Sequence, residues 1–329
     1  MISRRKVLLG AGAAAGAAVS AGLLARVSNA QVKWPSRLIT IHIGNAPGGD
    51  DDTLSRFLAQ TVSTELGQPV IVENRPGGST TLAGNTVAAA QPNGYNILCL
   101  ITAGVIQTVL RDNLRYGLDD FTPIVGIGGY PLALIVSAKA GINNLDELLA
   151  AARVSDGVTF ASGGVGTVGH LTSTMFLKEI KGKGIHVSYK NNPEGLQALA
   201  GGFTQMIFAS TREAAILKDN PSVRVLAVTS QTRAANLPNV PTTSEIGFPQ
   251  INSRVWYSYA APAGVSDEVV DKFSAAFVKG VQDPKFQERF TPLSFQTDIK
   301  TGAELKEFIK SEADRFRKVI AENNIRLNN

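Results

Sequence analysis

The alternation of short apolar runs with helical patterns constrains the fold of this chain most strongly. Arg37–Ile43 is a β-branched run that ends at a glycine turn, and apolar residues from Leu54 to Leu66 follow at helical spacing. The same unit of strand, glycine loop and helix recurs at 158–182. Such alternation predicts an α/β fold of mainly parallel sheets flanked by helices. Its recurrence in two halves predicts two similar α/β domains.

Further short apolar runs predict the other strands, and helical patterns lie between most of them. The predicted strands are Pro69–Glu73, Asn96–Ile101, Leu132–Ser137, Val158–Ser162, His186–Tyr189, Gln205–Ala209 and Arg224–Thr229. Two long C-terminal helices are predicted to begin after Ser266 and Thr301. Gly126–Pro131 and Asn252–Ser258 are candidate crossings between the two domains.

The first thirty residues have the three parts of an export signal. Arg4, Arg5 and Lys6 precede an apolar run of mostly Ala and Gly, and Val27-Ser28-Asn29-Ala30 places small residues at a cleavage site. The adjacent arginines resemble a twin-arginine signal. An uncleaved membrane anchor is the alternative, but Ala and Gly insert poorly into a bilayer. We therefore expect cleavage near Ala30 and a periplasmic mature protein.

Composition excludes several classes of protein. Removing the four basic residues of the first thirty leaves 28 basic residues against 27 acidic ones, so the body lacks the charge of a nucleic-acid binder. Cys99 is the single cysteine, which excludes an intrachain disulfide or a multi-cysteine metal site. It lies in an apolar run, and we expect a buried, inert thiol.

Three glycine-rich loops are the candidate binding elements. They span Pro47–Asp52, Asn74–Thr80 and Ser162–His170, and each lies where a strand ends and a helix begins. The first N–H groups of a helix have no intrahelical acceptor and sit at its positive end, so such loops can hold a carboxylate or a phosphate. The alternative is that these glycines serve only tight turns. The recurrence of one design favours ligand binding.

Other chemistry fits the sequence less well. Gly164–Gly169 matches the dinucleotide pattern G-x-G-x-x-G, but the expected acid about 20 residues later is missing. Ser162 or Ser79 with His170 could form a nucleophile and base, yet no hydrolase motif surrounds them. Asp50–Asp52 could bind a cation, although helix capping and the first-turn dipole explain these acids more simply.

Several blocks of sequence resemble one receptor family. These blocks are Trp34-Pro35-Ser36-Arg37, Glu73-Asn74-Arg75-Pro76-Gly77, Pro92-Asn93-Gly94-Tyr95, Leu237-Pro238-Asn239-Val240-Pro241-Thr242 and Ala261-Pro262-Ala263-Gly264. Together with the loops they resemble the extracytoplasmic solute receptors of tripartite tricarboxylate transporters, the Bug family. The resemblance covers essentially the whole mature chain.

The resemblance implies a two-domain periplasmic binding protein of type II, a Venus flytrap. One domain is expected from 31–131 plus 254–329 and the other from 132–253, with the ligand cleft between them. A small carboxylate is expected there, held by backbone N–H groups and hydroxyls. Motif matching gives the candidate ligand-binding residues Gly48, Gly49, Asp52, Gly77, Gly78, Ser79, Thr102, Ala103, Ser162, Gly163, Thr167, His170, Tyr189 and Ala209.

The chain departs from the family pattern in two places. Ala209 stands where relatives carry an aspartate, which weakens the case for an amino-acid ligand. Gly44-Asn45-Ala46 replaces a Pro-Phe-Pro type segment, and Asp50 and Asp51 add negative charge to the first loop. A second anionic group of a ligand is therefore expected to be poorly tolerated there.

The sequence thus predicts a non-enzymatic periplasmic receptor with no cofactor and no bound metal. We expect a monomer that captures a small organic carboxylate and delivers it to the membrane permease subunits of a tripartite tricarboxylate-type transporter. A receptor that presents its ligand to a membrane signalling partner is the alternative, and a dinucleotide-dependent oxidoreductase is less favoured. The identity of the carboxylate stays open at this point.

Overall fold

The computed structural model describes residues 33–327. The chain divides into a short unit, 1–36, and a large compact unit, 37–329, to which every helix and strand below belongs. The predicted export signal and its cleavage site lie outside the described residues, so both stay predictions. Within 33–327, no helix is both long and apolar enough to cross a membrane.

Within the described residues, ten strands form one continuous, strongly mixed sheet. The strands are β1 Ile39–Ile43, β2 Val70–Asn74, β3 Asn96–Ile101, β4 Phe121–Ser137, β5 Val158–Ser162, β6 Gly184–Ser188, β7 Met206–Ser210, β8 Val223–Val228, β9 Arg254–Pro262 and β10 Gln296–Thr301. Their order is β2-β1-β3-β9-β4-β7-β5-β6, while β8 and β10 also pair with β4. The outer pairs are parallel and the pairs around β4 and β9 are antiparallel.

Helices connect the strands and flank the sheet. They are α1 Asp50–Leu66, α2 Thr81–Ala88, α3 Thr102–Leu110, α4 Leu145–Arg153, α5 Val168–Glu179, α6 Asn192–Gly201, α7 Thr211–Leu217, α8 Asp267–Gln282, α9 Pro284–Phe290 and α10 Gly302–Glu322. The predicted α/β class is confirmed, and α8 and α10 begin directly after Ser266 and Thr301 as predicted. Gly67 ends α1 in the left-handed conformation, which favours glycine.

The 17-residue strand β4 joins the two parts of the sheet. Up to Pro131 its partners are β9 and β10, and from Leu132 onward they are β7 and β8. One apolar core, with Leu100, Trp256 and Leu305, covers the first part, and another, with Phe160 and Phe208, covers the second. The partner change falls next to the boundary proposed from the sequence. The division into two domains stays a prediction.

The sequence predicted crossings where the structure has strands. Gly126–Pro131 lies inside β4, and β9 begins at Arg254 within the other predicted crossing. A Cβ at Gly129 would lie 2.0 Å from the carbonyl oxygen of Val255, so only glycine permits this close approach of β4 and β9. Gly129 therefore serves strand packing, and the interpretation of these segments as crossings between two domains stays a prediction. β10 was not predicted, and its charged sequence explains why.

Candidate functional site

Three turns at the ends of β1, β2 and β3 converge. We call Gly44–Asp52, Gly77–Thr80 and Thr102–Gly104 the first loop group. A Cβ at Gly44 would lie 2.3 Å from the Cβ of Thr80, and a Cβ at Gly104 would lie 3.4 Å from the Thr80 hydroxyl. The ends of parallel strands meet at one edge of a sheet, which is where ligands bind in open α/β folds.

Asp52 ties the first and second glycine loops together. Its carboxylate accepts hydrogen bonds from the Gly48 N–H at 3.0 Å, Arg56 Nε at 2.9 Å and Asn74 Nδ2 at 3.1 Å. Burial raises the pKa of Asp52, but these donors outweigh burial and the pKa lies below its usual value. The N-cap of α1 is Gly49, so none of the three acids is the N-cap residue. All three lie in the first turn, as the dipole interpretation predicted, and the Asp51 carboxylate accepts from the Asp52 N–H at 3.1 Å.

The second glycine loop has a strained backbone. Gly78, Ser79 and Thr80 all have positive φ angles, at +57°, +55° and +78°. A β-branched threonine rarely adopts this conformation. Such outliers cost on the order of 1–3 kcal/mol each and concentrate at functional sites. Ser79 is exposed and Thr80 is buried, so the turn presents Ser79 outward.

The second loop group lies at the ends of β5, β6 and β7. We define it as Ser162–Thr167, Tyr189–Asn192 and Ala209–Glu213. Gly163 N–H donates to Asn192 Oδ1 at 3.1 Å, and Asn192 Nδ2 donates to Glu213 Oε2 at 3.2 Å. Glu213 also accepts from the Ser210 N–H and hydroxyl. One chain of hydrogen bonds thus links three strand ends.

Two stacked imidazoles lie behind the third glycine loop. The rings of His170 and His186 are 3.8 Å apart, and Phe160 stacks on His186 at 5.1 Å. The Gly166 N–H donates to His170 Nδ1 at 3.1 Å, and His186 Nε2 is hydrogen bonded to Ser162 Oγ at 2.7 Å. Burial lowers the pKa of His170 to about 3, with His186 adding to the effect, and lowers that of His186 to about 4. Both rings are therefore neutral at physiological pH.

Contacts join the two loop groups. The Nε of Arg212, in α7, lies 2.5 Å from Oδ1 of Asp50, the first residue of α1. A Cβ at Gly166 would lie 2.2 Å from Leu110 Cδ2, so the third glycine loop packs closely against the C-terminal end of α3. Burial raises the pKa of Asp50 to about 6, and the positive charge of Arg212 only partly opposes this.

The candidate residues predicted from sequence fall into two sets. Five are buried behind the loop surface, with side-chain polar atoms hydrogen bonded inside the protein where they have them: Asp52, Thr102, Ser162, His170 and Ala209. Thr102 Oγ1, for instance, accepts from the Trp256 N–H at 2.8 Å. His170 also lines a cavity of about 460 Å³ with Lys178, His186 and Asn323.

The other predicted residues lie on or near the loop surface. Gly48, Gly77, Gly78 and Ser79 are exposed, and Gly49, Ala103, Gly163, Thr167 and Tyr189 are half-buried. Sequence reasoning missed Asn192, Arg212 and Glu213. The sequence signal that could have identified these residues is their position. Asn192 precedes a proline at a helix start, and Arg212 and Glu213 follow the end of β7 within three residues.

Candidate metal ligands and the thiol of Cys99 were the remaining reactive groups in residues 33–327. No three His, Cys, Asp or Glu side chains converge there in a way that could hold a metal ion. Cys99 is buried in β3, as predicted, and burial raises the pKa of its thiol.

Comparison with known proteins agrees with this geometry. Residues 54–325 match the family described as "Tripartite tricarboxylate transporter family receptor". The chain belongs to this family. It is 32% identical over 333 residues to the UPF0065 protein in the tcbD-tcbE intergenic region of Pseudomonas sp. (strain P51), covering 99% of this chain and 96% of that one. It is 27% identical to protein BugT of Bordetella pertussis, covering 94% and 95%.

A solved receptor has the same fold. The structure of the periplasmic binding protein BugD superposes with a TM-score of 0.75 and 28% identity, covering 89% of this chain and 99% of that one. The predicted family and the predicted periplasmic binding protein fold are therefore confirmed. As a tripartite tricarboxylate receptor, the protein is a periplasmic solute-binding protein rather than an enzyme.

Proposed function

We propose that this receptor captures a small organic carboxylate between its two loop groups and delivers it to the permease subunits of a tripartite tricarboxylate-type transporter. The observation that carries the proposal is the meeting of two sets of strand-end turns, joined at Asp50 and Arg212. Ligand contacts from both sets stabilise a closed form only when the ligand is present. We further propose a monomer exported by the twin-arginine route.

Several loop N–H groups are already used inside the protein. Those of Gly48, Gly163, Gly164 and Gly166 donate to side chains. The carboxylate is therefore proposed to accept from the N–H groups at the very start of α1, which have no intrahelical acceptor. The N–H of Asp52 is not among them, because it donates to the Asp51 carboxylate. Hydrogen bonds to a charged carboxylate are stronger than those between neutral groups.

Hydroxyls and buried side chains complete the proposed site. Ser79 and Tyr189 supply hydroxyls at the surface of the two groups. Thr102, Ser162 and His170 are proposed to position the backbone rather than to touch the ligand, because their polar atoms are held internally. Asp52 is proposed to act in the same way through Gly48 and Asn74.

Thermal shift against a panel of carboxylates tests the proposal. A ligand at 100 times its dissociation constant adds about 2.7 kcal/mol to stability. Gly49→Val should weaken binding at least tenfold, because its side chain fills the approach to the first turn of α1. Gly117→Val is the matched control, since a Cβ there meets nothing within 4 Å. Equal affinity of the Gly49→Val variant and the wild type would contradict the loop assignment.

Uptake measurements test delivery. A strain lacking the gene should lose uptake of the carboxylate identified in the panel, and the wild-type gene should restore uptake. The Gly49→Val variant should not restore it. Normal uptake without the receptor would contradict the transport role.

A further inference from the structure

Asp50 is the acid of the first loop whose side chain is paired outside that loop. Asp51 is held by Asn45 Nδ2 at 2.9 Å and by the Asp52 N–H at 3.1 Å, and Asp52 is held by three donors. Asp50 instead reaches the second loop group and lies against Arg212. Its side chain is 20% exposed and that of Arg212 is 36% exposed. Both therefore stay accessible where the loop groups meet.

Arg212 is close to Asp50 but poorly satisfied by it. The Arg212 Nε is buried, yet its N–H is not aligned with any acceptor despite the 2.5 Å contact. A guanidinium pairs best with a carboxylate through two parallel, aligned hydrogen bonds. A free carboxylate could adopt that geometry if Asp50 did not already occupy the cation.

The charges around this contact are mostly negative. Arg212 and Glu213 act on Asp50, and Asp50 acts in turn on the neighbouring Asp51 and on the buried hydroxyls of Tyr130 and Tyr257. Glu213 is committed to Ser210 and Asn192 rather than to Arg212. A second carboxylate on a ligand would therefore meet uncompensated negative charge in a partly buried site, which is unfavourable.

We infer that Asp50 makes the receptor selective for monocarboxylates, because it occupies the arginine that a second ligand carboxylate would require. The inference rests on the proposed capture of carboxylates between the loop groups. In this arrangement the single carboxylate is held by the backbone donors. The rest of the ligand faces the Asp50–Arg212 pair as a neutral group. Removing the charge of Asp50 frees Arg212 and admits a second carboxylate.

Matched pairs of ligands test the inference by calorimetry. The probes are butyrate with succinate, hexanoate with adipate, and benzoate with terephthalate, so that the members of each pair differ in one carboxylate. The measured quantity is the ratio of dicarboxylate to monocarboxylate affinity within a pair. We expect the wild type to bind the monocarboxylate of its best pair at least tenfold more tightly.

Three variants sharpen the test. Asp50→Asn should raise the ratio at least tenfold. Asp50→Ala should raise it as well, and this variant covers the case in which the Asn side chain keeps a hydrogen bond to Arg212. The double variant Asp50→Asn with Arg212→Gln should lose this gain. Asp146→Asn is the matched control, because Asp146 is an exposed first-turn acid of α4 and its loss changes the net charge equally. Its ratio should equal that of the wild type.

The outcomes separate this inference from the proposed function. Wild-type binding of a dicarboxylate as tight as that of its monocarboxylate overturns the inference and leaves carboxylate capture intact. An unchanged ratio in both Asp50 variants, or a gain that survives loss of Arg212, also overturns it. Binding of no probe from any pair by the wild type or the Asp50 variants overturns the proposed function itself.

Discussion

The two loop groups are built from opposite chemistry. The first carries three successive acids at the start of α1, and burial raises the pKa of both Asp50 and Asp51 to about 6. The second is held by amides, hydroxyls and the Glu213 carboxylate, and the neutral pair His170 and His186, whose pKa values lie at about 3 and 4, lies directly behind it. The stability contributed by these two regions thus depends on pH in opposite directions.

The sign of each dependence follows from proton linkage. A carboxyl whose pKa is raised in the fold stabilises it fully below the unfolded value of 3.8, and that contribution is lost as the pH rises through about 6. A histidine with a lowered pKa contributes fully above 6.5, and its contribution is lost as the pH falls toward 4 and then 3. Mild acid should therefore remove the cost of the buried carboxylate charges in the first group. It should also remove the stability that the neutral histidines contribute behind the second group.

The largest expected effect concerns the second group. His186→Gln removes an imidazole that must become charged in acid, so the variant should lose less stability than the wild type between pH 7.5 and 4.5. The difference should be about 2 kcal/mol, because one pKa unit corresponds to about 1.4 kcal/mol. Urea unfolding at both pH values measures it. Parallel losses in the two proteins would show that the imidazole is not buried as described.

The first group should respond in the opposite direction. Asp51 is 2% exposed, and Asp51→Asn removes a charge that is costly to bury. The free energy of unfolding that the variant gains over the wild type should be larger at pH 7.5 than at pH 4, by roughly 1–2 kcal/mol. The same unfolding experiment measures this. A variant that gains most at pH 4 would reverse the contrast between the two groups.

The smallest expected effect on stability concerns the strained turn at Ser79 in the second glycine loop. Ser79→Gly relieves a left-handed serine, worth about 1 kcal/mol, but increases the entropy of the unfolded chain by a similar amount. Stability should thus change by less than about 0.5 kcal/mol while carboxylate affinity falls, because the turn loses its rigidity and a hydroxyl. Lys181→Gly is the control, since Lys181 is exposed, has a φ of +52° and lies outside both groups. Similar affinity changes in both variants would remove the special role of the second loop.

Local patterns in the sequence predicted most elements of the fold. The alternation of strands and helices placed β1 to β3 and β5 to β8 within a few residues, because each has its own apolar run and turn. It did not show that the predicted crossings Gly126–Pro131 and Asn252–Ser258 belong to the strands β4 and β9. The close approach of Gly129 to Val255 is a property of two strands distant in sequence, so no local pattern reports it.

The candidate site was predicted in outline only. Glycine loops are visible in the sequence, and so are the acids of α1. The pairing of Asp50 with Arg212 joins residues 162 positions apart and depends on tertiary packing. The contact of His170 is local, because its Nδ1 accepts from the Gly166 N–H four residues earlier, but the glycine pattern does not show which ring atom is used in this way.

Hydrogen exchange with and without ligand tests the central claim, that one carboxylate contacts both loop groups. The ligand is the panel carboxylate that gives the largest thermal shift. We predict simultaneous protection of amides in 44–52 and 77–80 and in 162–167 and 189–192. Protection confined to one group would contradict the claim. So would protection at the separate cavity of about 510 Å³ lined by Pro131, Arg254 and Arg315.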